Sequence, residues 1–117
     1  MFSLQAELHK KITILRLTGD VLLANASEFN SKLEEYMFAP DISQLVIDLS
    51  RTGKMDNAAL GVLVSLNTKG LGHGRRLVLL MPAAHVAQLL KEAQIEAFFP
   101  TFDSEEELQG YIPEAAE

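Results

Sequence analysis

The segment Ser50-Arg51-Thr52-Gly53-Lys54-Met55-Asp56-Asn57-Ala58-Ala59-Leu60-Gly61 brings hydroxyl, cationic and carboxylate side chains together at a helix start. Two hydroxyls and two cations precede a helix start. Such a group can take a phosphate at Ser50 or Thr52, or hold an anion between Arg51 and Lys54. It equally reads as a solvated turn kept tight by Gly53. Asp56, at the amino end of the helix, is placed to cap free N–H groups at the favourable end of the helix dipole. The same carboxylate can touch a partner, and a cap fixes the shape of the surface a partner meets. Beyond it, Asn57, Gly61, Ser65 and Thr68 recur as a stripe of small or polar residues, flanked by Leu60 and Val64. Val62, Leu63 and Leu66 face elsewhere. The stripe is either the solvent face of a buried helix or a flat docking surface with two apolar anchors, where small side chains admit close approach.

Other candidates carry less. Gly70-Leu71-Gly72-His73-Gly74 looks like a phosphate-binding loop, but it follows a helix and precedes a strand, the wrong order for that chemistry. It reads as a helix end closed by Gly70 and a short connection. His9, His73 and His85 fall in three different elements without zinc-ligand spacing. Neither a Ser–His–Asp order nor a paired-carboxylate arrangement stands out. The sequence has no cysteine, which excludes disulfides, thiolate metal sites and cysteine nucleophiles. The expectation is a binding protein, not an enzyme, with no cofactor and no metal.

Positioning these residues requires a scaffold, and periodicity supplies one. Ser3–Lys10 alternates, with Leu4, Ala6 and Leu8 on one side, as a half-buried strand does. A second strand begins at Ile12 and is closed by Thr18-Gly19-Asp20. Arg16 falls on the side of Ile12 and Ile14, while Leu15 and Leu17 fall on the other with Thr13, so the alternation is imperfect and the expectation is a strand apolar on both faces in its middle. The two pair antiparallel about Lys10-Lys11. Asn25 with Glu28 forms a capping box for a helix that buries Ala26, Phe29, Leu33, Tyr36 and Met37 and ends before Pro40-Asp41. Leu45–Leu49 and Leu77–Met81 are apolar runs covered on both sides. The helix Asp56–Gly70 lies between them, and strand–helix–strand at this length implies a parallel crossover with adjacent strands. A third helix spans Ala83–Gln94, burying Val86, Leu89, Leu90 and Ala93. Phe98-Phe99 adds an edge strand before Pro100. A last helix opens at Asp103 or Ser104 and buries Leu108 with Tyr111 or Ile112; Pro113 ends it and Glu114–Glu117 fray. The fold class is α/β: a single domain with a mixed, mostly parallel sheet and helices mainly on one face.

Length and charge bound the partners. At 117 residues the chain is one domain with 48% apolar residues, enough for a core without staples. Its net charge of −6 repels phosphate backbones, and its only adjacent basic pairs, Lys10-Lys11 and Arg75-Arg76, flank strands, so nucleic acid is not expected. No run reaches the ~20 apolar residues of a membrane helix, and Met1–Glu7 lacks a charged-then-apolar leader. The expectation is a cytoplasmic protein with no direct membrane insertion.

Val46-Ile47-Asp48-Leu49-Ser50, followed by Met55-Asp56-Asn57-Ala58-Ala59-Leu60-Gly61-Val62-Leu63, resembles the signature of STAS domains in bacterial anti-sigma-factor antagonists. There a buried strand leads into Met-Asp-Ser-Ser-Gly-Leu-Gly-Val-Leu or a close variant. Leu17-Thr18-Gly19-Asp20 looks like the family's Leu-Thr-Gly-Glu. Gln88-Leu89-Leu90 through Phe98-Phe99-Pro100, and Phe102-Asp103-Ser104-Glu105-Glu106-Glu107, are similar to its third helix and the opening of its last. The resemblance spans nearly the whole chain, and its weight lies in order and spacing. It implies a STAS fold and binding to an anti-sigma factor, usually a serine-kinase-like regulator, which inactivates the antagonist by phosphorylating a serine at the helix start. That serine's position is Ala58, which has no hydroxyl. Leu22 and Ala59 also depart from the family pattern. Joined to the reading of the helix face above, the expected docking surface covers Asp56, Asn57, Ala58, Ala59, Leu60, Gly61, Val64 and Ser65, with Ser50 or Thr52 as alternative phosphosites. STAS subunits also serve as accessories of lipid-transport ATPases and anion transporters, which is the alternative partner class.

Overall fold

The structure is a computed structural model that describes residues 1–111. Five strands, β1 (Phe2–His9), β2 (Ile12–Val21), β3 (Gln44–Met55), β4 (Arg76–Leu80) and β5 (Thr101–Phe102), form one sheet in the order β1-β2-β3-β4-β5. The hairpin β1–β2 is antiparallel; the three pairings that follow are parallel. Helices α1 (Ala26–Met37), α2 (Asn57–Gly72) and α3 (Ala84–Glu92) make the crossovers, and α4 (Glu105–Tyr111) follows β5. Because strand order follows sequence order, three right-handed crossovers in succession must lay their helices on one face. Phe29, Leu33 and Met37 of α1, Ala59, Leu60, Leu63 and Leu66 of α2, and Val86 and Leu90 of α3 accordingly share one core.

Strand alternation divides the sheet between two cores. Leu45, Ile47 and Leu49 of β3 and Leu77 and Leu79 of β4 face the three helices. Val46, Val78, Leu80, Ile12 and Ile14 face the other way and are covered by Leu108 of α4. The central strands are therefore sealed on both sides, which is why they read as continuous apolar runs. Leu45–Leu49 and the following apolar run pair as expected, parallel and adjacent, with Leu45 opposite Leu77 and Asp48 opposite Leu80.

Several local expectations are corrected. The residues read as a turn, Ser50–Lys54, continue β3: Thr18 pairs with Arg51, Gly19 with Thr52 and Val21 with Met55, across two register shifts. Gly53 is needed there for space, since a Cβ would lie 2.1 Å from Asp20 Oδ1, the atom that accepts from Lys54 N at 2.7 Å. Asn25 does not cap α1. Its side chain turns back, accepting from Leu22 N at 2.8 Å and donating to Asp20 O at 3.0 Å. Gly70 does not close α2 but sits buried inside it, and the chain turns at Gly74, whose φ of +72° glycine adopts freely. In β1 only Phe2 and Leu4 reach the core; Leu8 is exposed. Phe98 lies in a 3-10 turn and Phe99 enters the core, so the edge strand comes after Pro100, whose carbonyl accepts from Leu79 N. At α4, Ser104 Oγ accepts from Glu107 N and Glu107 accepts from Asp103 N. The expectations for Ile112, Pro113 and the fraying of Glu114–Glu117 lie outside the described residues.

Candidate functional site

The site sits where β3 runs into α2, at the carboxyl ends of the parallel strands. Asp56 has extended backbone and holds the junction with both carboxylate oxygens. Oδ1 accepts from Ala58 N at 3.0 Å and from Ala59 N at 3.2 Å; Oδ2 accepts from Leu23 N at 2.9 Å. The cap expected from sequence is thus present, and it also clamps the 3-10 turn Leu23–Asn25 against α2. On the far side, His85 Nε2 donates to Gly53 O at 2.6 Å and Ala83 N to Leu49 O, tying α3 to the same strand end.

Along α2 the predicted stripe, Asn57, Gly61, Ser65 and Thr68, is exposed throughout, while the wider docking surface expected around it divides by burial. Asn57, Gly61 and Ser65 are exposed, Ala58 and Val64 half-buried, and Ala59 and Leu60 buried at 0% and 3% exposure. Leu60 is therefore not a projecting anchor. It forms, with Val64, Ala93 and Ile95, the wall of a shallow apolar groove between α2 and the end of α3, open beside Gly61 and Ser65. A Cβ built on Gly61 would meet nothing within 4 Å. The projecting apolar residue is Leu23, 78% exposed beside Asp56. Sequence reasoning passed over it, because in Leu22-Leu23 nothing local says which leucine turns outward.

The two hydroxyls offered as phosphosites stand in different surroundings. Ser50 is exposed, its N–H held by Asp48 Oδ1 at 2.9 Å. Thr52 is only 7% exposed and its hydroxyl donates to Leu49 O at 3.1 Å. The three histidines are dispersed: His9 near Glu7, His73 on Lys69 O, His85 on Gly53 O.

A second polar cluster lies on the opposite face of the sheet. Arg16 donates from Nε to Glu7 at 2.6 Å, from Nη1 to Asp48 at 2.9 Å and from Nη2 to Glu105 at 2.6 Å. This joins β1, β2, β3 and α4 through one guanidinium, and it explains why a charge falls on the side of Ile12 and Ile14. The hydrogen bond from Arg16, the largest cause, holds the Glu7 carboxyl below its ordinary value, and the bond to Glu7 leads in pushing Arg16 further up. With three carboxylates on it, Arg16 is spent on holding the fold. Ser50 and Arg51 border this cluster.

Among the described residues no helix is long and apolar enough to cross a membrane. The sequence matches the STAS domain family over residues 3–108. An anti-sigma factor antagonist from Mycobacterium paratuberculosis superposes with a TM-score of 0.83 at 15% identity, covering 97% of this chain and 95% of that one. The anti-sigma factor antagonist SpoIIAA in its unphosphorylated form gives 0.76 at 16% identity, over 93% and 96%. SpoIIAA of Bacillus, described as a cell fate determinant, in its phosphorylated form gives 0.69 at 15%, over 93% and 99%. At these identities the likeness is one of fold.

Proposed function

The chain belongs to the STAS domain family, and from that premise we propose that it is a regulatory interaction module of the anti-sigma-factor-antagonist kind. Its partner is an anti-sigma factor or a related serine-kinase-like regulator, docked over the amino-terminal half of α2. The residues engaged are Asp56, Asn57, Ala58, Gly61, Val64 and Ser65, with Ala59 and Leu60 supporting them from beneath.

One observation carries this reading. Gly61 lies within a sixteen-residue helix, exposed, where a Cβ would meet nothing within 4 Å. Glycine there costs the helix about 0.5–1 kcal/mol relative to alanine, and nothing described within the chain calls for it. A bare helix face beside an apolar groove is what a closely approaching second chain uses. Control by phosphate at the helix start has no acceptor, since Ala58 lacks a hydroxyl and Asn57–Val64 holds neither serine nor threonine. On this reading availability is set by abundance or assembly, and Ser50 is the exposed hydroxyl at which control would otherwise operate.

The test begins with affinity capture from native extract and identification of the partner, then calorimetry with wild type, Gly61→Gln and Ala58→Asp. A glutamine at 61 projects into open space in the free domain, so melting should not fall. Affinity should drop tenfold or more in both variants, as bulk and an unpaired charge enter a closed interface. Unchanged affinity in folded variants moves docking elsewhere. A captured transport ATPase or transporter subunit replaces the partner class and leaves the surface standing.

A further inference from the structure

We infer that β1 is a self-association edge, along which a second copy of this chain pairs antiparallel to extend the sheet from five strands to ten.

The two sheet edges differ. β5 has two residues, Thr101–Phe102, between Pro100 and the turn into α4, too short to template another strand. β1 has eight residues, pairs with β2 in unbroken register from Phe2–Gly19 to His9–Ile12, and is joined on its other side to no strand among the described residues. Natural edges are blunted by proline, by lysine or by bulges. Phe2-Ser3-Leu4-Gln5-Ala6-Glu7-Leu8-His9 has neither residue, its one carboxylate, Glu7, is neutralised by Arg16 at 2.6 Å, and its ladder has no bulge.

The ladder shows which amides are free. Asp20 N donates to Met1 O at 3.0 Å, continuing the β1–β2 register by one pair. Bonded and non-bonded pairs alternate in an antiparallel ladder. Ser3, Gln5, Glu7 and His9 therefore bond to β2, while the N–H and C=O groups of Phe2, Leu4, Ala6 and Leu8 point outward. The side chains of these four residues share the helix face. Phe2 and Leu4 lean on the core, Phe2 edge-on to Phe29 at 5.4 Å, while Ala6 is exposed and Leu8 is 73% exposed.

An antiparallel copy with its two-fold axis at Gln5 satisfies both features. Phe2 then bonds opposite Leu8 of the second copy and Leu4 opposite Ala6, so every outward amide is used. Leu8 comes to rest against the second copy's Phe2. On the other face Glu7, the one carboxylate of the strand, meets Ser3 and Gln5 meets Gln5, so no like charges oppose. Lys10-Lys11 lies beyond the paired segment. The second copy is preferred over a foreign strand because the sequence complements itself in this register.

The experiment is sedimentation equilibrium of the full chain, up to millimolar concentration, in about 0.15 M salt to screen the net charge of −6. Wild type should approach twice the chain mass of 12.9 kDa as concentration rises. Ala6→Pro deletes one outward amide without touching the bonds to β2, and Leu8→Lys places an edge charge on an exposed position. Each should weaken association at least tenfold with far-UV circular dichroism unchanged. Exchange of the Leu4, Ala6 and Leu8 amides should slow with concentration. A wild type that stays single throughout, or folded variants that associate as tightly as wild type, overturns the inference. Should Ala6→Pro fail to fold, Leu8→Lys and the exchange pattern decide.

Discussion

The same substitution at two glycines of one helix should move stability in opposite directions. Gly61 and Gly70 both lie in α2, so replacing either by alanine gains the helix about 0.5–1 kcal/mol of propensity. At Gly61 the added Cβ meets nothing within 4 Å, and the gain should appear in full. At Gly70 the Cβ would lie 3.0 Å from Met37 Cε, 3.1 Å from its Sδ and 3.2 Å from the carbonyl oxygen of Arg75. None of these can retreat easily. Met37 is fully buried, Arg75 N donates to Gly70 O at 2.7 Å, and the Arg75 guanidinium is bound to the carbonyls of Met37 and Ala39. Overpacking of this kind costs about 1–3 kcal/mol, which outweighs the propensity gain and leaves Gly70→Ala destabilised by roughly 1 kcal/mol. For a domain of 117 residues, 1 kcal/mol is about 4 °C in Tm. Urea denaturation and calorimetry should thus show Gly61→Ala rising and Gly70→Ala falling by about that amount. A Gly70→Ala protein as stable as Gly61→Ala would refute the packing argument, and a destabilised Gly61→Ala would refute the open helix face on which the proposed docking rests.

Asp56→Ala, which removes the acceptor of three backbone amides, should cost about 1–2 kcal/mol in urea denaturation, and Asp56→Asn less than half of that. If Asp56→Asn keeps its stability yet loses tenfold in partner affinity, the carboxylate also contacts the partner; if affinity holds, it acts as a cap alone. The Glu7 carboxyl is held low by Arg16, so its contribution is present above its unfolded pKa and is lost as pH falls through the lower folded value. Glu7 is 45% exposed, which limits the contribution to about 0.5 kcal/mol. Wild type should therefore lose about that much more stability than Glu7→Gln between about pH 5 and pH 3; equal losses would show that the Glu7–Arg16 bond contributes nothing.

The order of elements, the parallel pairing of the two apolar runs and the Asp56 cap were legible in the sequence because each is written locally. Periodicity reports which face is buried, a strand–helix–strand of this length permits little but a crossover, and a cap needs only its own first turn. The extension of β3 through Ser50–Met55 was not legible, since it depends on pairing with residues some 30 positions away in β2. Asn25 carries the same lesson: its type promised a helix cap, but Asp20 O and Leu22 N offered competing partners once the turn had formed. At the candidate site, residue type and spacing named the helix face, but burial divided it, sending Ala59 and Leu60 inward and leaving Leu23 outside. Arg16 shows the limit most plainly. A lone arginine in an apolar strand breaks the pattern, but its three carboxylates come from three other elements, β1, β3 and α4. Only tertiary structure brings such groups within hydrogen-bond reach, because the desolvation of a charge is offset by partners that are near in space whatever their distance along the chain.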